Sequence, residues 1–193
     1  MTKILEGFLQ KRHTISSFVF GVVVSCIVAF INHYPLVYSD TGSYIDAGFS
    51  SVFTGDRPYF YGWFIRHMSL HNSLWLVIFV QSILVCYLVW ITLGAFIERI
   101  HRSWCFIITI ICLSVFSSYS FNVSIILPDI FSAICFLSLL NLLNNEHLHR
   151  MEYVFVAILF AFSLTTQIAL VVVLFVIFII LLILKPLILK RRR

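Results

Sequence analysis

Apolar residues in this chain run in blocks too long to be one face of an amphipathic helix. The blocks cover residues 14–31, 74–97, 104–121, 125–143 and 153–184, and Asp129 is the one Asp, Glu, Lys or Arg inside them. About 17–25 predominantly apolar residues suffice for a helix to cross the roughly 30 Å of bilayer hydrocarbon. Hydrophobic residues make up 61% of the 193 and charged residues 11%, against about half and about a quarter in soluble domains. Polar surface is therefore too scarce to cover a water-facing sphere. The expected fold class is all-α, a polytopic membrane helical bundle forming a single integral domain over residues 1–193. Disorder fails on the same composition, and 7 Gly and 4 Pro without a triplet period exclude fibrous chains.

Charge fixes the expected topology. Of 13 cations, eleven lie in the tails or in two short loops: Lys3, Lys11, Arg12, Arg99, Arg102, Arg150, Lys185, Lys190, Arg191, Arg192 and Arg193. The net charge of +5 thus follows the positive-inside rule and marks topology, with no nucleic-acid partner. The block 153–184 has 32 residues, about 48 Å as one helix, so a break is predicted at its polar cluster, Thr165-Thr166-Gln167. Spans are expected at 14–31, 74–97, 104–121, 125–143, 153–166 and 167–184. Six spans place eleven cations inside and leave only Arg57 and Arg66 outside; five would move the basic C-terminal tail outward. Both termini are expected to be cytoplasmic, in the plasma (inner) membrane of a bacterium. The first block ends without a small-x-small cleavage site, so it is expected to remain as a helix. Cys26, Cys86, Cys105, Cys112 and Cys135 all lie within apolar runs, and five such thiols imply no disulfide framework.

This topology leaves one long connection, residues 32–73, on the outer side, where long loops usually carry function. Ser43-x-x-Asp46 reads as a helix start, with Tyr44, Ile45, Phe49, Val52 and Phe53 at helical spacing. Residues 54–58 read as a turn. A second amphipathic piece follows, with Tyr59, Phe60, Trp63, Phe64 and Met68 apolar and Arg66, His67 and His71 polar. Both pieces are expected to lie in the membrane interface.

Two acids face the same outer side. Asp40 follows the first span in Tyr-Ser-Asp-Thr-Gly-Ser-Tyr, and Asp129 heads the fourth in Leu-Pro-Asp-Ile-Phe. Carboxylates at such depth are costly unless paired, solvated or bound to a cation, which makes them functional candidates. Each also has a structural reading: Asp129, one residue after Pro128, suits the positive end of a helix dipole, and Asp40 suits a loop or cap.

Asp40-Thr41-Gly42-Ser43-Tyr44, then Gly55-Asp56-Arg57-Pro58 with Tyr61, and finally Pro128-Asp129, resemble the outer loops of the GT-C glycosyltransferases. These membrane enzymes move a sugar from a polyprenyl-phosphate carrier to an acceptor outside the cytoplasm. The resemblance implies a short or truncated member, since the family's chains are longer, with more spans and often a soluble terminal domain. It implies Asp40 as the base that takes a proton from the acceptor hydroxyl or amine. It implies Asp129 as the second acid, which in some members positions substrate or a divalent cation. Arg57 and Arg66, the outer cations, would stabilise the phosphate leaving group, and Tyr44 and Tyr61 would line the substrate site. An interfacial Arg also simply snorkels to lipid phosphate.

Remaining signals are weaker. His67 and His71 stand four apart, as two metal ligands on one helix face would, but equally make a wet polar stripe, and no metal ligand is assigned. Asn122-Val123-Ser124 fits a glycosylation sequon. Gln81 and Asn141 are expected to hydrogen-bond to neighbouring helices. Three functions compete: a lipid-linked-sugar transferase, a non-catalytic scaffold or subunit completed by a partner membrane protein, and a transporter. The last would require polar residues through the spans, whereas these acids sit at one edge. Expected partners are membrane lipids, the lipid-linked donor and such a membrane protein.

Overall fold

The computed structural model describes residues 2–50, 58–98 and 101–191. Among these the chain forms ten helices: α1 (Thr2–Ser25), α2 (Ile27–Ile31), α3 (Thr41–Ser50), α4 (Tyr59–Met68), α5 (Leu74–Phe96), α6 (Arg102–Phe116), α7 (Tyr119–Ser124), α8 (Ile130–Asn144), α9 (Arg150–Thr166) and α10 (Ile168–Arg191). The all-α expectation holds. Strand-like pairing is limited, among the described residues, to one bridge between Leu36 and Ile125.

The central element is α5. Its first turn is capped by Ser73, whose Oγ accepts from the Trp75 amide. Buried Val77, Ile78, Val85, Cys86, Leu88 and Val89 face its neighbours. α1, α6 and α8 pack around it, and α9 packs on α8. Arg102 folds back on α5, with its guanidinium 4.3 Å from the Trp90 ring centroid and Nε donating to the Trp90 carbonyl at 2.9 Å.

Of the six spans expected, the described residues show one helix, α5, long and apolar enough to cross a bilayer on its own. α9 together with Ala169–Ile180 meets the requirement only as a pair bent by 111°. That bend falls at Gln167, within the predicted break. α6 and α8 have 15 residues each, about 22 Å, shorter than their blocks. The block 104–121 is interrupted at Ser117-Ser118, after which α7 begins. The block 125–143 is helical only from Ile130, because residues 125–126 pair with Leu36 and Pro128 disfavours a helical residue before it. The first block is also split. Cys26 separates α1 from α2, and the Ala29 amide, near the new helix start, donates to Ser124 Oγ at 3.2 Å.

In the connection 32–73, α3 begins at Thr41, two residues before the Ser43 start expected. α3 and α4 form a hairpin whose backbones meet at Gly48 and Gly62. The buried face of α4 is Tyr61, Gly62, Phe64 and Ile65, whereas Phe60 and Trp63 are exposed. The amphipathic register is therefore displaced from the one expected, because this face packs against α3, α5 and α9 rather than lying on a membrane surface alone. Phe131 of α8 clamps it, edge-on to Phe64 at 5.1 Å and to Phe162 of α9 at 5.5 Å. Residues 54–57 of the expected turn lie outside the described residues.

A Cβ added at Gly62 would stand 2.8 Å from the Gly48 nitrogen, and one added at Gly48 would collide with the Gly62 carbonyl, while Gly42 has nothing within 4 Å. Gly62→Ala should lower stability by about 1–3 kcal/mol through forced backbone separation, with Gly42→Ala close to neutral. Thermal unfolding of the purified variants in detergent measures both.

Candidate functional site

The two sequence-predicted acids lie on loops that are hydrogen-bonded to each other. The Leu36 amide donates to the Ser124 carbonyl at 2.9 Å, and the Ile126 amide returns the bond to the Leu36 carbonyl at 2.9 Å. Thr41, beside Asp40, is 2% exposed. Its hydroxyl accepts from the Tyr38 amide at 2.9 Å and donates to the Ile126 carbonyl at 3.0 Å. The turn before α3 is thereby joined to the strand-like segment that leads into Asp129.

Asp129 occupies the cap position of α8 without capping it, since its side chain bonds no amide of the first turn. The dipole reading thus accounts for its position and not for its contacts. Its Oδ1 instead accepts from Gln167 Nε2 at 2.7 Å, and Gln167 Oε1 accepts from Ser132 Oγ at 2.5 Å. Three residues from α8 and from the α9/α10 break form one chain. Ser132 is a partner that sequence reading missed. Its position three residues after Asp129 was the available signal. Gln167 was noticed only as a helix breaker.

Asp129 stands at the rim of a cleft of about 410 Å³. Val85 and Val89 of α5 form its floor, and Leu113 of α6 and Leu137 of α8 are among its walls. Ser117, Ser118, Asn122 and Asp129 gather where α6 ends and α8 begins, so the cleft is polar at one end and mainly apolar below. Asp40, half-buried just before α3, does not line it; Ser39 Oγ donates to Asp40 Oδ1 at 3.4 Å.

Tyr44 and Tyr61 do come together, ring centroids 5.2 Å apart and edge to face, but both are buried. They act as packing and not as an open substrate surface. The Tyr61 hydroxyl donates to Gln81 Oε1 at 3.1 Å, and Gln81 Nε2 donates to the Val123 carbonyl at 3.2 Å and the Ile125 carbonyl at 3.4 Å. Gln81 thus bonds across elements as expected, as does Asn141, whose Nδ2 donates to Thr92 Oγ1 at 2.7 Å. Burial, reinforced by the Tyr44 phenol and the Asp129 charge, pushes the Tyr61 phenol well above its ordinary value of 10.

Arg66 is half-buried and does not snorkel freely. Its Nη1 donates to the Gly48 carbonyl at 3.4 Å, in the last turn of α3, where a cation is favoured. Arg57 lies outside the described residues. The His67/His71 pairing is corrected: α4 ends at Met68, and Leu70 and His71 take left-handed backbone angles, so the two rings share no helix face. His67 Nδ1 lies 2.8 Å from the Trp63 carbonyl, and His71 packs edge-on against Phe49 at 5.0 Å. No group of three or more His, Cys, Asp or Glu gathers among the described residues. In the sequon, Asn122 is partly exposed, with Nδ2 donating to Ser118 Oγ at 3.1 Å, while Ser124 is fully buried. His149 caps α9 reciprocally with Glu152.

No protein family matches the chain, and neither a curated protein nor a solved structure does.

Tyr61→Phe removes the donor to a buried amide oxygen and should cost about 1–3 kcal/mol. The raised phenol also predicts alkaline sensitivity. Above pH 10 the unfolded chain sheds a proton that the folded chain keeps, so native stability falls as pH rises from 10 toward the folded value. Denaturant midpoints recorded between pH 8 and 11 should decline for the native chain and decline less for Tyr61→Phe.

Proposed function

We propose that the chain is a multi-pass membrane protein of the GT-C glycosyltransferase kind, moving a sugar from a polyprenyl-phosphate donor to an acceptor on the non-cytoplasmic side. The observation that carries this reading is the joining of the Asp40 and Asp129 loops through Leu36, Thr41 and Ile126. Exposed apolar side chains on separate helices, among them Ile15, Ile108, Val115, Ile158 and Phe175, support immersion in lipid, since soluble monomers rarely expose so much contiguous apolar surface. Cytoplasmic termini and six spans, some of them short, follow from the placement of the cations. Asp40 serves as base toward the acceptor, and Asp129, oriented by Gln167, as the second acid. Arg57 and Arg66 are the cations for the leaving phosphate.

A second reading, a non-catalytic scaffold or a subunit completed by a partner membrane protein, is favoured by two observations. Asp40 is absent from the lining of the cleft at Asp129. α10 packs chiefly on α9 and leaves Val172, Phe175 and Phe178 exposed.

Transfer from a polyprenyl-phosphate sugar by the chain reconstituted in vesicles separates the two. Asp40→Asn should reduce transfer by about 10²–10⁴-fold, the contribution of a positioned general base, with membrane insertion and unfolding temperature unchanged. Undiminished transfer in that variant would refute the assigned base, and no transfer by the native chain would favour the scaffold.

A further inference from the structure

The cleft beside Asp129 has the shape and polarity of an amphiphile site. Its volume of about 410 Å³ lies within the range of roughly 300–1,000 Å³ typical of small-molecule sites. α6 and α8 both pack on α5, and the space between them is lined by Val85, Val89, Leu113 and Leu137. That lining offers a hydrocarbon chain apolar contact along the helices.

Charge at the polar end narrows the occupant. Asp129 is the only Asp, Glu, Lys or Arg among the lining residues, and no histidine joins it. Its Oδ1 is taken by Gln167, whereas Oδ2 has no partner among the described residues and the side chain is exposed at the rim. A head group that is purely anionic would meet an unbalanced carboxylate. One ending in a primary ammonium would supply both opposite charge and N–H donors, the stronger class of hydrogen bond. The neighbouring groups suit the phosphate of the same head. Ser118 Oγ already accepts from Asn122 Nδ2 at 3.1 Å, which leaves the Ser118 hydroxyl proton to donate.

We propose that the cleft between α6 and α8 binds a phospholipid with a primary-ammonium head group, one hydrocarbon chain along α5 and the ammonium paired with Asp129. This is a statement about binding and holds whether or not the chain transfers a sugar.

Native mass spectrometry of the full chain tests it, with the protein equilibrated against equimolar phosphatidylethanolamine, phosphatidylcholine and phosphatidylglycerol. The ethanolamine lipid should be retained about tenfold over the others, the factor expected for one charge-assisted hydrogen bond. The choline lipid is the informative control, since it carries the positive charge without an N–H. Asp129→Asn should abolish the preference while total retained lipid stays the same. Ala133→Trp, which places bulk in the wall, should reduce retained lipid of every class with the unfolding temperature maintained. Equal retention of the ethanolamine and choline lipids, or a preference that survives Asp129→Asn, would overturn the proposal.

Discussion

A fully buried amide holds one end of this molecule together. Gln81 sits on α5 with no solvent access, where an unmet polar side chain would cost several times what a satisfied hydrogen bond contributes. Its oxygen takes the Tyr61 hydroxyl from α4, and its nitrogen reaches the carbonyls of Val123 and Ile125. The Val123 carbonyl lies in the last turn of α7, and the Ile125 carbonyl in the non-helical stretch that follows it and leads toward Asp129. Satisfying one side chain therefore locks together α5, the α3/α4 hairpin and the segment before α8.

The consequences spread outward from that point. With residues 123–126 held, Leu36 pairs with them and Thr41 closes the contact from the other side, which places the Asp40 turn next to the Asp129 turn. With α4 held, Phe64, Phe131 and Phe162 interlock across three helices. α6 and α8 are then kept on α5 with space left between them, and the cleft is a product of that spacing. The Asp129 carboxylate is steadied from a different direction, by Gln167 at the kink where α9 gives way to α10. A residue that ends a helix thus also orients an acid.

Local patterning made much of the fold legible. Long apolar blocks announced helices, the polar triplet at 165–167 marked a break, and Gln81 and Asn141, isolated among apolar neighbours, implied cross-helix bonds. Short-range geometry was less legible. Helical periodicity in 59–68 admits more than one buried face when nearly every side chain is aromatic or apolar, so the apolar set Tyr59, Phe60, Trp63, Phe64 and Met68 differs from the buried set Tyr61, Gly62, Phe64 and Ile65. His67 and His71 looked like helix neighbours because spacing alone does not reveal a left-handed turn at residues 70–71. The interruption after Phe116 was hidden for a similar reason, since Ser117-Ser118 is tolerated inside a span until α7 packs elsewhere.

Composition and charge placement were sufficient for the all-helical class, the prominence of the 74–96 helix and the candidate acids, because apolar run length and cation position act through the solvent and need no knowledge of contacts. The tertiary structure alone decided that Asp129 bonds Gln167 instead of capping its helix, that Asp40 stays off the cleft, and that Ser124 is inaccessible. Each depends on which distant segments share a volume, and one-dimensional patterning does not encode that when the partners lie tens of residues apart.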